Sequence, residues 1–121
     1  MPFATLLGLV VTKQEKDHVT AKMLVRPELC TSGGLVHGGA LMAFADSVGA
    51  IATVLNLPEA SQGTTTVESK TNFIRGVKAG ETVVSNTVPV HIGRRTQVWQ
   101  TRIESQDGKL VALVTQTQMI L

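Results

Sequence analysis

Residues 37–57 read HGGALMAFADSVGAIATVLNL, and Asp46 is the only formally charged residue in this stretch of Gly, Ala, Leu, Met, Phe, Val, Ile and small polar side chains. Its apolar part approaches the length of a membrane span. Against that reading stand an uncapped Asp near the middle, three glycines and the lack of a Lys/Arg cluster at either end. A helix wrapped on most sides by its own protein has the same composition. An ionised carboxylate taken out of water without a partner costs several kcal/mol or more, so Asp46 in such a helix calls for a use.

The flanking segments supply the wrapping. Val19, Ala21, Met23 and Val25 alternate with His18, Thr20 and Lys22, the period of a strand with one buried face. Residues 7–12 can pair with it across the polar turn 13–17. After the helix, four more strands are predicted over 64–75, 81–92, 96–104 and 109–120. The breaks are Lys78-Ala79-Gly80, Gly93 and Asp107-Gly108, the last a two-residue hairpin signal. Val84, Val88, Val90 and Ile92 are expected on one face, as are Val111, Leu113 and Met119. The reading is an α+β fold, one curved antiparallel sheet of about six strands around a long central helix.

Composition narrows the rest. A chain of 121 residues, 43% hydrophobic and 17% charged, without repeats or linkers, reads as a single domain over 1–121. Net charge is +2, with three Phe, one Trp and no Tyr, which argues against a nucleic-acid surface and suits a modestly anionic ligand. A lone Cys30 excludes an intrachain disulfide and fits a reducing compartment. The first residues lack signal-peptide features, so a cytoplasmic location is expected. His18, His37 and His91 lie far apart, with no HxH, HExxH or CxxC spacing, so no metal site is expected. No GxSxG elbow offers a nucleophilic serine. Cys30 reads as a buried structural thiol.

The helix start concentrates the remaining signal. A loop over 31–36 runs into His37-Gly38-Gly39, where up to four backbone N–H groups lack helical partners at the positive end of the dipole. Such an end binds an anion or a polarised carbonyl oxygen, and glycine lets a ligand approach the backbone. Alternatively, Gly38 and Gly39 serve only tight helix packing. Asp46 lies nine residues beyond His37, so it stands on the order of 13 Å along the axis from these donors. One chain cannot bring both to one bond. Two helices running antiparallel about a two-fold axis would set Asp46 of each against Gly38 of the other, an arrangement suited to acyl transfer.

RPELCTSGGLVHGGALMAFADSVGA resembles the helix-start segment of hotdog-fold acyl-CoA thioesterases, in which HGG is followed after six residues by Asp or Glu. TVESKTNFIRGVKAGE is similar to the next strand of that family, and HIGRRTQVWQTRI resembles the junction beside which coenzyme A phosphates lie. The likeness is to phenylacetate-pathway and aromatic acyl-CoA thioesterases in particular. It implies a hotdog fold and hydrolysis of an aryl or short- to medium-chain acyl-CoA. Coenzyme A would be part of the substrate, with no separate cofactor, and the protein a homodimer or a dimer of dimers.

Residue by residue, the resemblance implies that the Gly38 N–H polarises the thioester carbonyl and that Asp46 of the partner subunit acts as nucleophile or general base. His37 would shape the helix start or touch the thioester, and Gly39 would border the substrate. Thr31 stands where the family usually has Asn or Gln, and Ala50 where some relatives have Thr. Thr66 aligns with a hydroxyl that helps position water, although a strand Thr can equally be structural. Arg75, Arg94 and Arg95 are the candidates for the phosphates. Strand alternation would send Arg94 and Arg95 to opposite sides, leaving at most one in contact. Two rivals share the fold: a hydratase or dehydratase, and an acyl-CoA-binding module without turnover. A regulator of the latter kind would carry a DNA-binding segment, for which the residues before Asp17 leave no room.

Overall fold

The computed structural model describes residues Met1–Leu121. In chain order they form helix α1 (Pro2–Leu7), strands β1 (Val10–Glu15) and β2 (His18–Leu24), a 3-10 turn (Pro27–Leu29), helix α2 (Gly38–Val54), and strands β3 (Thr64–Phe73), β4 (Thr82–Ile92), β5 (Thr96–Ser105) and β6 (Leu110–Ile120). The strands make one six-stranded sheet in the order β1-β2-β4-β5-β6-β3. Every neighbouring pair is antiparallel. β3 reaches the edge beside β6 because the chain crosses the sheet through α2. No helix is long and apolar enough to cross a membrane.

Leu41, Phe44, Ala45, Val48 and Ala52 recur at helical spacing along α2 and are buried against the sheet. They meet Val19, Ala21 and Met23 of β2, Val83 of β4, Trp99 and Ile103 of β5, and Ala112 and Val114 of β6 in one hydrophobic cluster. Full burial of a side chain such as Phe44 stabilises the fold by roughly 1.5–3 kcal/mol. At its far end α2 is tied to the β1–β2 turn by Asn56, whose Nδ2 donates to the carbonyls of Ala52 (3.0 Å) and Lys16 (2.7 Å).

Four local expectations are corrected. The first strand begins at Val10, not Leu7: Pro2 starts a short helix that buries Ala4 and Leu7 and closes on Gly8 at φ 77°. β1 then runs to Glu15, and the turn shrinks to Lys16 and Asp17. Next, the row Val84, Val88, Val90 and Ile92 of β4 lies on the outer side of the sheet, and Val111 does not share a face with Met119, because it is buried in the core. Val83, Ser85 and Thr87 point to α2, while Val88, Val90 and Ile92 are 42%, 63% and 43% exposed. On β6 the inward row is Ala112, Val114, Gln116 and Gln118, with Met119 outside. The interior is polar enough to reverse the hydropathy rule, because its polar groups bond one another. Thr87 and Thr101 hydroxyls pair at 2.7 Å, Trp99 Nε1 donates to Gln97 Oε1, and Gln97 Nε2 donates to the Asn56 carbonyl.

Finally, the β5–β6 connection is not a two-residue turn. It spans Gln106–Lys109 with Gly108 at φ 84°, and the Ser105 hydroxyl beside Asp107 is the main cause holding that exposed carboxyl below the usual carboxylate range. β3 also stops at Phe73, leaving Arg75 beyond it, and carries an irregularity between Thr66 and Glu68. Val67 is the extra residue of this bulge. Thr66 and Ser69, which strict alternation would put on opposite faces, are thereby both turned inward and partly buried.

Candidate active site

Asp46 does not stand unpartnered. Its Oδ1 accepts the Thr66 hydroxyl at 2.6 Å and Gln116 Nε2 at 3.2 Å. Behind them, Gln118 Nε2 donates to Thr66 Oγ1 at 2.6 Å, and the Thr64 hydroxyl donates to Gln118 Oε1 at 2.9 Å. The inward rows of β3 and β6 thus form a polar cradle for one carboxylate oxygen. The sheet does not enclose α2 on this side: Asp46 and Ala50 are half-buried and Val54 is 56% exposed, a departure from the wrapped helix expected from composition. Asp46, Thr66, Ser69, Met42 and Ala43 line an open cleft of about 250 Å³.

The helix start is built differently. His37 is the N-cap: its Nδ1 accepts the Gly39 N–H at 2.8 Å, while its carbonyl accepts from Ala40 and Leu41. Of the first helical donors only the Gly38 N–H makes no bond within the chain. It borders a cleft of about 390 Å³ shared with Thr31, Phe73 and Arg75. Gly38 packs tightly, since a Cβ there would lie 3.0 Å from Phe73 Cε1, and its backbone donor is left without a partner in the chain. Gly39 is different. Its donor is taken, and a Cβ would lie 2.9 Å from His37 Nδ1, so this glycine accommodates the cap.

The structure therefore brings Thr31, Gly38 and Arg75 to one cleft and Asp46 and Thr66 to another. His37 and Gly39 border a third space of about 260 Å³, with Phe3, Leu6 and Cys30 among its other walls. Arg94 and Arg95 lie exposed in the bend between β4 and β5, outside regular alternation, and line neither of the first two clefts. They stand at the Asp46 end of the sheet: Ile120 N donates to the Arg95 carbonyl, and Ile120 pairs with Thr64. Arg75, whose N donates to the Val111 carbonyl, stands at the Gly38 end. Sequence reasoning missed Gln116. A strand glutamine reads as surface, and the one available signal was Gly49, an isolated glycine inside a helix.

Residues 33–112 match the model of the thioesterase superfamily. A 1,4-dihydroxy-2-naphthoyl-CoA hydrolase of Escherichia coli K12 is 34% identical over 105 residues, which are 87% of this chain and 76% of that protein. A mutant of the phenylacetic acid degradation protein PaaI from Thermus thermophilus superposes with TM-score 0.91 at 32% identity, covering 100% of both chains. The thioesterase HI1161 from Haemophilus influenzae superposes with TM-score 0.91 at 28% identity, covering 98% of this chain and 82% of that one.

Proposed function

Because this chain belongs to the thioesterase superfamily and is a thioester hydrolase of the hotdog fold, we propose that it hydrolyses an aryl or short- to medium-chain acyl-CoA to the free acid and coenzyme A, at a site completed by a second copy of the chain. The observation that carries this reading is the split along α2: a free donor at Gly38 and a held carboxylate at Asp46, about 12 Å apart on one helix and lining different clefts. A two-fold axis that sets two such helices antiparallel makes two complete sites. The edge strand β3 supports the pairing, since its outer side has no strand beside it and Val67, Phe73 and Ile74 are 53%, 54% and 57% exposed. The apolar outer face carrying Val88, Val90 and Met119 supports a further pairing of dimers.

In this reading the thioester oxygen accepts the Gly38 N–H, and charge developing on it is met by the positive end of α2. Asp46 of the partner subunit either takes a proton from the attacking water or attacks the carbonyl carbon itself, giving an anhydride that water then opens. Either way the C–S bond breaks, the thiolate of coenzyme A leaves and is protonated, and a carboxylic acid remains. Thr31 borders the thioester. Arg75 from one subunit and Arg94 or Arg95 from the other flank the same cleft and are the phosphate partners. The name of the E. coli relative, an aryl-CoA hydrolase, supports an aromatic acyl group. The test is thiol release across aryl- and alkyl-CoA esters. Turnover of several esters is expected, and none from a folded protein that binds them would overturn the reading.

A further inference from the structure

The side chain of Gln116 is buried, reaching 1% exposure, and it lies across α2 at one point. A Cβ built on Gly49 would come within 2.3 Å of its Cδ and Oε1 and 2.5 Å of its Nε2, so the amide fills the space that any other residue at 49 would need. Gly49 is helical, where glycine is unfavourable by roughly 1 kcal/mol against alanine. It is tolerated here because the amide passes over it. The amide has one bond, Nε2 to Asp46 Oδ1 at 3.2 Å, and its Oε1 has no partner. A carboxylate oxygen only accepts, so the amide must turn its nitrogen to Asp46. With Thr66 donating to the same oxygen, Oδ1 is fixed from two strands while Oδ2 receives no hydrogen bond from the chain.

We propose that Gln116, lodged in the groove made by Gly49, is a positioning residue that fixes the Asp46 carboxylate so that Oδ2 is the oxygen presented to water or to the thioester. The inference rests on the reading of Asp46 as the reacting carboxylate. Two routes disturb it independently. Gln116→Leu keeps the volume and removes the donor. Gly49→Ala keeps the donor and pushes the end of a flexible side chain off its seat, a change the backbone need not follow.

The experiment measures kcat, KM and thermal midpoint for both variants, alone and combined with Asp46→Asn. Each single variant is expected to lower kcat about tenfold or more with KM within about twofold, the pattern of a group that matters in the transition state and not for binding. In the Asp46→Asn background the same changes should alter the residual rate less than about twofold, because there is no ionised oxygen left to fix. In a Gln116→Ala chain, Gly49→Ala should cost nothing further, since the collision has gone. Unchanged kcat in a stably folded Gln116→Leu or Gly49→Ala overturns the inference, as does an equal fall with and without Asp46. A fully active Asp46→Asn instead overturns the underlying reading of Asp46, and the inference with it.

Discussion

Replacing Asp46 by Asn keeps the shape of the side chain and removes its charge. Asp46→Asn is expected to lower kcat about a hundredfold or more with an unchanged circular dichroism spectrum, and near-normal turnover would sink the mechanism. Thr66→Val is a second test. It removes the 2.6 Å bond to Asp46 and takes the acceptor from Gln118. Loss of about 1–3 kcal/mol of stability in denaturant melts, together with a drop in kcat, is expected. A stable variant with wild-type turnover would show the strand hydroxyl to be incidental. Asp46 itself was legible because a charge in an apolar run is conspicuous, whereas the way it is held was not. Thr66 and Gln116 come from strands far along the chain, and their common direction depends on a bulge at Val67 and on an inverted burial pattern that hydropathy does not encode.

At the level of elements, the long helix and the succession of two strands, helix and four strands were readable from periodicity and turn residues, while the order of the strands in the sheet and the inward faces of β4 and β6 were not. Ser85, Thr87, Gln116 and Gln118 are buried with hydrogen bonds to the Ala21 carbonyl, Thr101, Asp46 and Thr66, and no single-residue scale anticipates a partner. The helix start gives the sharpest element-level prediction. If His37 acts as a cap, His37→Ala frees the Gly39 N–H and costs about 1 kcal/mol, a few degrees in Tm. His37→Asn should restore most of that. Should Asn rescue Tm but leave kcat as low as in the Ala variant, the ring itself takes part in the reaction. For α2 as a whole, Gly38→Pro removes the free donor at a position where helices accept proline. Mixing it with Asp46→Asn chains should regain activity from mixed dimers, each with one intact pair of groups. No regain between two folded, exchanging variants would exclude a shared site.

For the whole molecule, the separation of Gly38 and Asp46 along α2 follows from the sequence alone, because rise per residue is fixed, and it is what the proposed shared site rests on. The arginines were harder, since only the sheet register shows Arg75 at one end and Arg94 and Arg95 at the other. Arg75→Ala, and Arg94→Ala or Arg95→Ala, should raise KM for a CoA ester roughly five- to thirtyfold while leaving kcat nearly constant, an effect of about 1–2 kcal/mol for partly exposed contacts. An N-acetylcysteamine ester, which has no phosphates, should be indifferent, and added salt should weaken the wild type most. Equal shifts for both substrates would place coenzyme A elsewhere. Dilution offers a further check: activity per chain should fall as dimers dissociate, and a monomer at full specific activity would contradict the shared site.

The edge strand β3 has one more consequence. In an antiparallel ladder alternate amides point to the neighbour, so half of those in β3 bond to β6 and the other half face outward from the sheet. Those outward amides are a built-in recorder of what lies beside them. In deuterated water they should exchange within the dead time wherever β3 is a true edge, and slow by orders of magnitude wherever another strand takes up their protons. The contrast between the amides bonded to β6 and those facing away from it, two sets whose parity switches at the Val67 bulge, would, followed across protein concentrations, report association from within, with the bonded set as its own internal standard.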